Sequence, residues 1–186
     1  MGARHASADH AGMRSRILPA LAVVALAVAP SVGSARSIGT TTREPQLETS
    51  LLAEINGFRA AHGLTRLRVS RSLAAAAAFH SLEMARAGFF SHDSADGSSF
   101  FQRIGRFYAA RGFRSWSVGE NLVWGGPDLS AGQAFHLWLA SPPHRANLLT
   151  PRWREIGLAA VHSTNAPGVY GGPATIVTAD LGQRDR

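Results

Sequence analysis

The chain has 186 residues, 45% of them hydrophobic, with a formal net charge of +7 at pH 7 and no cysteine. This length favours a single domain with dispensable ends over two domains. Without cysteine the fold cannot depend on disulfides, so packing alone must stabilise it. The arginines that carry the charge are scattered and form no recognition motif. This argues against a specific nucleic-acid partner and is consistent only with weak attraction to anionic surfaces.

The N-terminal segment has the pattern of a secretory signal. Arg14 and Arg16 precede the apolar run ILPALAVVALAVAP, and the small residues of SVGSA follow it. That order is typical of a signal peptide, here over residues 1–35, with Met13 as a possible true start. A retained anchor is the alternative, but the run is shorter than the roughly 20 residues that a membrane span needs. We therefore expect secretion, to the periplasm or beyond, without a stable membrane anchor.

The boundaries of the folded domain follow from composition. Residues 36–48 are polar and contain Pro45, so we interpret them as a linker. Periodic apolar patterns then extend over residues 49–183, which we assign to the domain. Residues 184–186 remain as a tail.

Four segments combine the apolar spacing of a helix with a residue suited to one of its ends. They are TSLLAEINGFRAAHGL, ending at Gly63; RSLAAAAAFHSLEMARAG, between Ser70 and Gly88; FFQRIGRFYAARG, opened by Ser99; and LSAGQAFHLWLA, which stops near Ser141 because two prolines follow.

Strand patterns come late in the chain. The substantial candidates are SWSVGENLVWGG, REIGLAAVHS and ATIVTADLG, with LRVS as a shorter extended piece. The Gly- and Pro-rich residues 165–173 predict a hairpin loop between the last two strands. Because helices precede most strands, we expect an α+β fold with a small, mainly antiparallel sheet between helices.

Three polar residues lie at junctions between these elements: His92 in FFSHDS, Glu120 in VGENLVWGG and His144 in SPPHRANLL. Glu120 interrupts an apolar strand, where an unpartnered carboxylate is costly, so it must be paired, hydrogen-bonded or neutralised. Two imidazoles and a carboxylate can form a transition-metal site or a general acid/base pair. Spacing alone does not choose between them.

The sequence around His144 predicts a neutral imidazole. Ser141 can cap a short new helix with Pro142 at its first position, which places His144 in the first turn. The positive end of that helix disfavours imidazolium, so the ring should be neutral near pH 7. A neutral ring is what a metal ligand requires.

A structural role is the alternative for each candidate. Glu120 is then a cap of nearby backbone N–H groups, His92 a loop histidine bonded to Asp93 or Asp96, and His144 a plain helix-start residue. His80, on an apolar helix face, is interpreted as a satisfied core histidine. No serine lies in the strained elbow of a nucleophile and cysteine is absent, so we assign no catalytic residue.

The motif order resembles the CAP superfamily, which comprises the cysteine-rich secretory, antigen 5 and pathogenesis-related-1 proteins and whose domain is also called SCP. The similarity covers about residues 49–182 and is greatest with the cysteine-free bacterial branch. Its motifs are LLAEINGFRAAHGLTRLRV, LAAAAAFHSLEMARAGFFSH, GENLVWG, WLASPPHRANLL and EIGLAAV. The resemblance implies an α-β-α sandwich with a central cavity lined by two histidines and two glutamates.

Carried onto this chain, the resemblance implies that His92, Glu120 and His144 line the cavity. The second glutamate of the family falls on Ser141, so one carboxylate is missing here. The resemblance further implies a divalent ion, zinc first, held by His92 and His144. Glu120 would then hold a water or an imidazole N–H behind the ion.

The function expected from this resemblance is a secreted, non-enzymatic ligand-binding or interaction module. Its ligand would be a lipid, a glycan or another envelope component, and the protein would act as a monomer. The alternative is a secreted hydrolase that depends on a divalent metal, with Glu120 as general base.

Overall fold

The computed structural model describes residues 39–186, so the predicted signal peptide, with Met13, lies outside the described residues. In chain order the elements are β1 (Thr41–Arg43), α1 (Pro45–Ala61), β2 (Arg68–Val69), α2 (Arg71–Ala87), α3 (Phe100–Phe107), β3 (Ser115–Gly125), α4 (Ala131–Ala140), α5 (Pro142–Leu148), β4 (Glu155–Ala166) and β5 (Gly172–Asp185). Within residues 39–186, the helices are all too short or too polar to cross a membrane.

The five strands form one sheet in the order β1-β4-β5-β3, with the two-residue β2 beside β4. All pairings are antiparallel except that of β2 with β4. The predicted hairpin joins β4 to β5, and both strands are longer than expected, so that its loop shrinks to residues 167–171. Among residues 39–186, β3 pairs with β5 alone and is therefore an edge strand, with Glu120 directly opposite Asp180.

Side-chain alternation along the strands decides which helices cover each face of the sheet. Val123, Ala160 and Val177 pack in one cluster with residues of α1 and α4. Their neighbours Leu122 and Val161 point the other way and pack with residues of α2. Helices therefore cover both faces, which confirms the α+β class and the α-β-α sandwich.

The helix ends follow local chemistry. The Ser70 hydroxyl accepts from the Leu73 N–H, and Gly88 closes α2 with a φ of 74°. The capping box at Ser99 also forms, since the Ser99 N–H donates to Gln102 Oε1 at 3.0 Å. The prediction that α3 continues to Gly112 is wrong, because the helix ends at Phe107. The Trp116 indole N–H donates to the Tyr108 carbonyl at 2.7 Å, just after this end.

The folded unit is longer than residues 49–183 at both ends. The interpretation of residues 41–48 as part of a linker is wrong, because β1 pairs with β4 and α1 begins at Pro45. Proline is favoured in the first helical turn, where no N–H is needed, so Pro45 starts a helix here. At the other end β5 continues to Asp185 instead of leaving a tail.

Candidate functional site

The candidate site lies at the free edge of β3. Even-numbered residues of β3 face α2 and α3, so Glu120 points into that layer, and its side chain is 1% exposed. Odd-numbered residues face the opposite layer, where Asn121 contacts α5. Two helical layers therefore meet around one strand edge, and each carries one of the two histidines.

The Glu120 carboxylate bonds to side chains from two other segments of the chain. His92 Nδ1 lies 2.7 Å from Oε1, and the Arg103 guanidinium pairs with Oε2. Arg103, on α3, is fully buried and also donates to the His92 carbonyl at 2.9 Å and to Ser94 Oγ at 3.1 Å. Glu120 and Arg103 thus hold both the ring and the backbone of His92, and neither Asp93 nor Asp96 is the partner of that ring.

The Glu120 carboxylate at Nδ1 determines which nitrogen of the His92 ring carries the proton. Nδ1–H donates to Glu120, which directs the lone pair of the neutral ring to Nε2. The His92 side chain is 50% exposed, so a ligand in solvent can approach it.

Two residues of α2 fix the loop that carries His92. His80 is fully buried, and its Nε2 lies 2.8 Å from the Ser91 carbonyl. The Ala95 N–H donates to Glu83 Oε1 at 3.2 Å. Burial, followed by the nearby Arg103 charge, lowers the pKa of His80. The interpretation of His80 as a satisfied core histidine is confirmed.

His144 approaches from the other layer. Asn121 Nδ2 donates to the His144 carbonyl at 3.0 Å, and Asn147 Nδ2 donates to the Glu120 carbonyl at 3.2 Å. These bonds attach α5 to the edge of β3. Burial lowers the pKa of His144, and the charge of His92 lowers it further. The ring is therefore neutral at pH 7, as the sequence predicted, although burial is the main cause.

Ser141 lies between α4 and α5 and is the N-cap residue of α5, but no side-chain hydrogen bond caps that helix. Together with His144 it lines an open groove of about 300 Å³, which we call the edge groove. The other lining residues are apolar: Phe90, Leu122, Val123, Trp124, Leu137 and Trp138. The structure thus brings Ser141 and His144 into one groove and joins His92 to Glu120 beside it.

A divalent ion has few ligands available here. Among residues 39–186 no group of three or more His, Asp or Glu side chains is arranged to hold a metal. Both Glu120 oxygens already have partners, which suits a group that orients an imidazole better than a ligand of an ion. The residues that would hold an ion are His92 and His144, through their imidazoles, and other ligands would complete its shell.

Two buried residues of this region were not among those predicted from the sequence. Arg103 lies in a helix with no nearby acidic residue in the sequence to suggest its partner. Asp180, in VTADLG, carries the same signal that singled out Glu120, a carboxylate within an apolar strand, and could have been found. Burial, followed by the charge of Glu120, raises the pKa of Asp180 well above its ordinary value.

The sandwich, with two histidines and a buried carboxylate around its edge strand, has the features of an SCP domain. Residues 52–179 match the cysteine-rich secretory protein family (CAP), and the chain belongs to this family. It is 28% identical over 134 residues to the uncharacterized protein YkwD of Bacillus subtilis (strain 168), covering 70% of this chain and 50% of that protein. The chain therefore spans half the length of this relative.

Solved structures show the same fold. An extracellular protein of Bacillus anthracis containing an SCP domain has a TM-score of 0.59 and 27% identity, over 75% of this chain and 41% of that chain. An outer surface protein of Borrelia burgdorferi has a TM-score of 0.63 and 20% identity, over 80% of this chain and 100% of that chain. A cysteine-rich secretory protein of Staphylococcus aureus has a TM-score of 0.51 and 19% identity, over 75% of this chain and 39% of that chain.

Proposed function

We propose that the protein is an exported, monomeric, non-enzymatic binding module that takes a lipid-like ligand in the edge groove, beside a divalent ion held by His92 and His144. The observation that carries the proposal is the lining of the groove. Six apolar side chains surround two polar ones, Ser141 and His144. Small-molecule sites are mostly apolar, with a few polar groups that fix orientation. Of the lipid and glycan classes, this lining favours the lipid.

The proposed ion site depends on the contacts of two imidazoles. Glu120 keeps the Nδ1 proton on His92 and leaves Nε2 for a metal, and the lowered pKa of His144 keeps that ring neutral. A bound zinc ion would supply a positive charge at the polar end of the groove. An anionic headgroup would be attracted there while its acyl chain lies against Phe90 and Leu137.

The contacts of Glu120 do not favour the hydrolase alternative. A general base must reach a proton on water or substrate. The side chain of Glu120 is 1% exposed, and both its oxygens already accept from His92 and Arg103. Zinc-dependent turnover of a peptide or phosphodiester that is lost in Glu120→Gln would nevertheless restore the hydrolase.

Export is the remaining part of the proposal. It is supported by the pattern of residues 1–35 and by the similarity to the Bacillus anthracis protein, which is described as extracellular. N-terminal sequencing of the protein recovered from the cell exterior should begin close to Arg36. A product that retains residues 1–35 would contradict the cleaved signal.

Zinc titration calorimetry of the purified protein tests the ion site. We expect His92→Ala and His144→Ala each to weaken zinc binding at least tenfold, and Glu120→Gln to weaken it about 10–100-fold, as for groups that orient a metal ligand. His136→Ala is the matched control, because His136 is exposed and lies outside the predicted pair. Equal affinity in all four variants would contradict the ion site.

Binding of a fluorescent fatty-acid probe tests the groove. Leu137 is 47% exposed and lines the groove, so Leu137→Asp should leave folding intact and weaken probe binding about tenfold or more. Val69 is 63% exposed and lies elsewhere, so Val69→Asp is the control. If the two variants bind the probe equally well, the edge groove is not the lipid site.

A further inference from the structure

Asp180 is a fully buried carboxyl that the proposed binding site does not use. It lies on β5 directly opposite Glu120 on β3, and both side chains point into the layer of α2 and α3. Directly opposed residues of an antiparallel pair have Cβ atoms about 4.5–5.5 Å apart. Gly157 of β4, on its other side, brings no side chain. Neither oxygen of Asp180 has a hydrogen-bond donor among residues 39–186.

The charges around this pair are unequal. Arg103 of α3 is the buried cation, and its guanidinium is shared among Glu120, the His92 carbonyl and Ser94. Two histidines are the other titratable groups near the pair: His80 of α2, which its lowered pKa makes neutral, and the half-exposed His92, whose ring bonds to Glu120. One buried positive charge therefore meets two buried carboxyls. Ionising both would leave a buried negative charge without compensation, so the pair retains one proton.

Hydrogen-bond geometry decides which carboxyl holds that proton. Glu120 accepts from His92 and from Arg103, which stabilises its charged form. Asp180 accepts from no described donor, so no hydrogen bond stabilises its charge. A proton on Asp180 also removes the conflict of two facing acceptors, because the new O–H can donate to Glu120.

We infer that Asp180 is a carboxylic acid at neutral pH, that its O–H donates to Glu120, and that it thereby positions Glu120 to hold the His92 ring. The raised pKa of Asp180, caused first by burial and then by Glu120, agrees with this assignment. The second glutamate of the family falls on Ser141 in this chain. Here the second carboxyl of the region is that of Asp180, on β5. The positioning role rests on the proposed function, whereas the protonation of Asp180 needs neither metal nor ligand.

Infrared spectroscopy in D2O at pH 7 tests the protonation. The wild type should show the carbonyl stretch of a buried protonated carboxyl, and Asp180→Asn should abolish it. Asp128→Asn is the control, because the Asp128 side chain is 84% exposed. A band that survives Asp180→Asn, or that is absent from the wild type, would overturn the inference.

The pH dependence of unfolding gives a second readout. Asp180 holds its proton in the native state above the ordinary aspartate pKa of about 3.9 and releases it on unfolding. The free energy of unfolding therefore falls as pH rises between this value and the raised native pKa. Asp180→Asn should lower by one the number of protons released on unfolding, which makes this slope less steep. An unchanged slope would overturn the inference.

Nitrogen NMR of the His92 ring tests the positioning role. Asparagine can donate to Glu120 as the acid does, so Asp180→Asn should keep the proton on Nδ1, whereas Asp180→Leu should give mixed tautomers and about tenfold weaker zinc binding. Wild-type tautomers in Asp180→Leu would overturn the role, and if that variant fails to fold the infrared test still decides the protonation. A wild type with the infrared band but without zinc affinity would overturn the ion site alone.

Discussion

Glu120 determines the local chemistry because it is a buried charge whose partners come from two separate segments. Arg103 arrives from α3 and His92 from the loop after α2, and both meet one carboxylate. Removing one partner of such a pair is costly, since the other charge remains buried. The His92 ring is therefore held by an ion pair that the core cannot easily release.

The two histidines should influence one another. We predict that His144 titrates below the ordinary histidine pKa of about 6.5, because burial and the His92 charge both disfavour its imidazolium. In the metal-free protein, His92→Gln removes the second cause and should raise the His144 pKa partway, since burial remains. Proton NMR titration measures both values.

The exposed His136 provides the control for this titration. His136→Gln should leave the pKa of His144 unchanged. A His144 pKa at or above the ordinary value in the wild type would contradict the effect of burial, and one that does not respond to His92→Gln would show that the two rings do not interact.

At the scale of elements, β3 is an edge strand whose outer side is covered by side chains. Trp138 Nε1 donates to the Leu122 carbonyl at 3.0 Å, and Asn147 Nδ2 donates to the Glu120 carbonyl at 3.2 Å. Uncovered edge strands promote aggregation, so α4 and α5 protect this one. The same two helices bring Ser141 and His144 to the groove.

The packing of α2 on β4 depends on one glycine. A Cβ at Gly157 would lie 2.0 Å from backbone atoms of Leu73 and Ala74 in α2. Because backbone cannot yield as a side-chain end can, we predict that Gly157→Ala destabilises the protein by on the order of 3 kcal/mol. Urea unfolding followed by circular dichroism measures the change.

Gly57, within α1, is the matched glycine, because a Cβ there has no neighbour within 4 Å among the described residues. Gly57→Ala should raise the free energy of unfolding by about 0.5–1 kcal/mol through helix propensity. If both alanine variants were equally stable, α2 would not be packed against Gly157 as described.

At the scale of the whole molecule, the chain before Thr49 belongs to the fold. The Glu44 N–H donates to the Ala160 carbonyl at 2.9 Å, and Glu48 Oε1 accepts from the Ala160 N–H at 3.0 Å. We predict that a chain starting at Thr49 is less stable than one starting at Gly39, by on the order of 2–4 kcal/mol, because it loses these bonds and the β1 pairing.

Thermal and urea unfolding of the two truncated chains measure this difference. Arg43→Ala in the longer chain is a useful companion, since it removes the partly exposed Arg43–Glu48 pair but keeps the β1 backbone. It should cost much less than the truncation. Equal stability of both truncated chains would restore the linker interpretation.

Local signals predicted much of this fold and of the candidate site. The caps at Ser70, Gly88 and Ser99 and the hairpin between β4 and β5 depend on residues within a few positions of each other. Pro45 led to the wrong linker interpretation because proline breaks a helix interior but is also favoured at the first position of a helix. Arg103 was missed because its partner Glu120 is 17 residues away in the chain.

The sequence by itself determined the alternating faces of the strands, the helix caps and the identity of the groups at positions 92, 120 and 144, because these are properties of neighbouring residues. Only the tertiary structure decided that Glu120 meets Arg103 and His92 and lies opposite Asp180. Such meetings depend on strand register and on how helices cross the sheet. Burial then sets the pKa of Asp180 and His144, since the cost of a charge depends on the atoms packed around it.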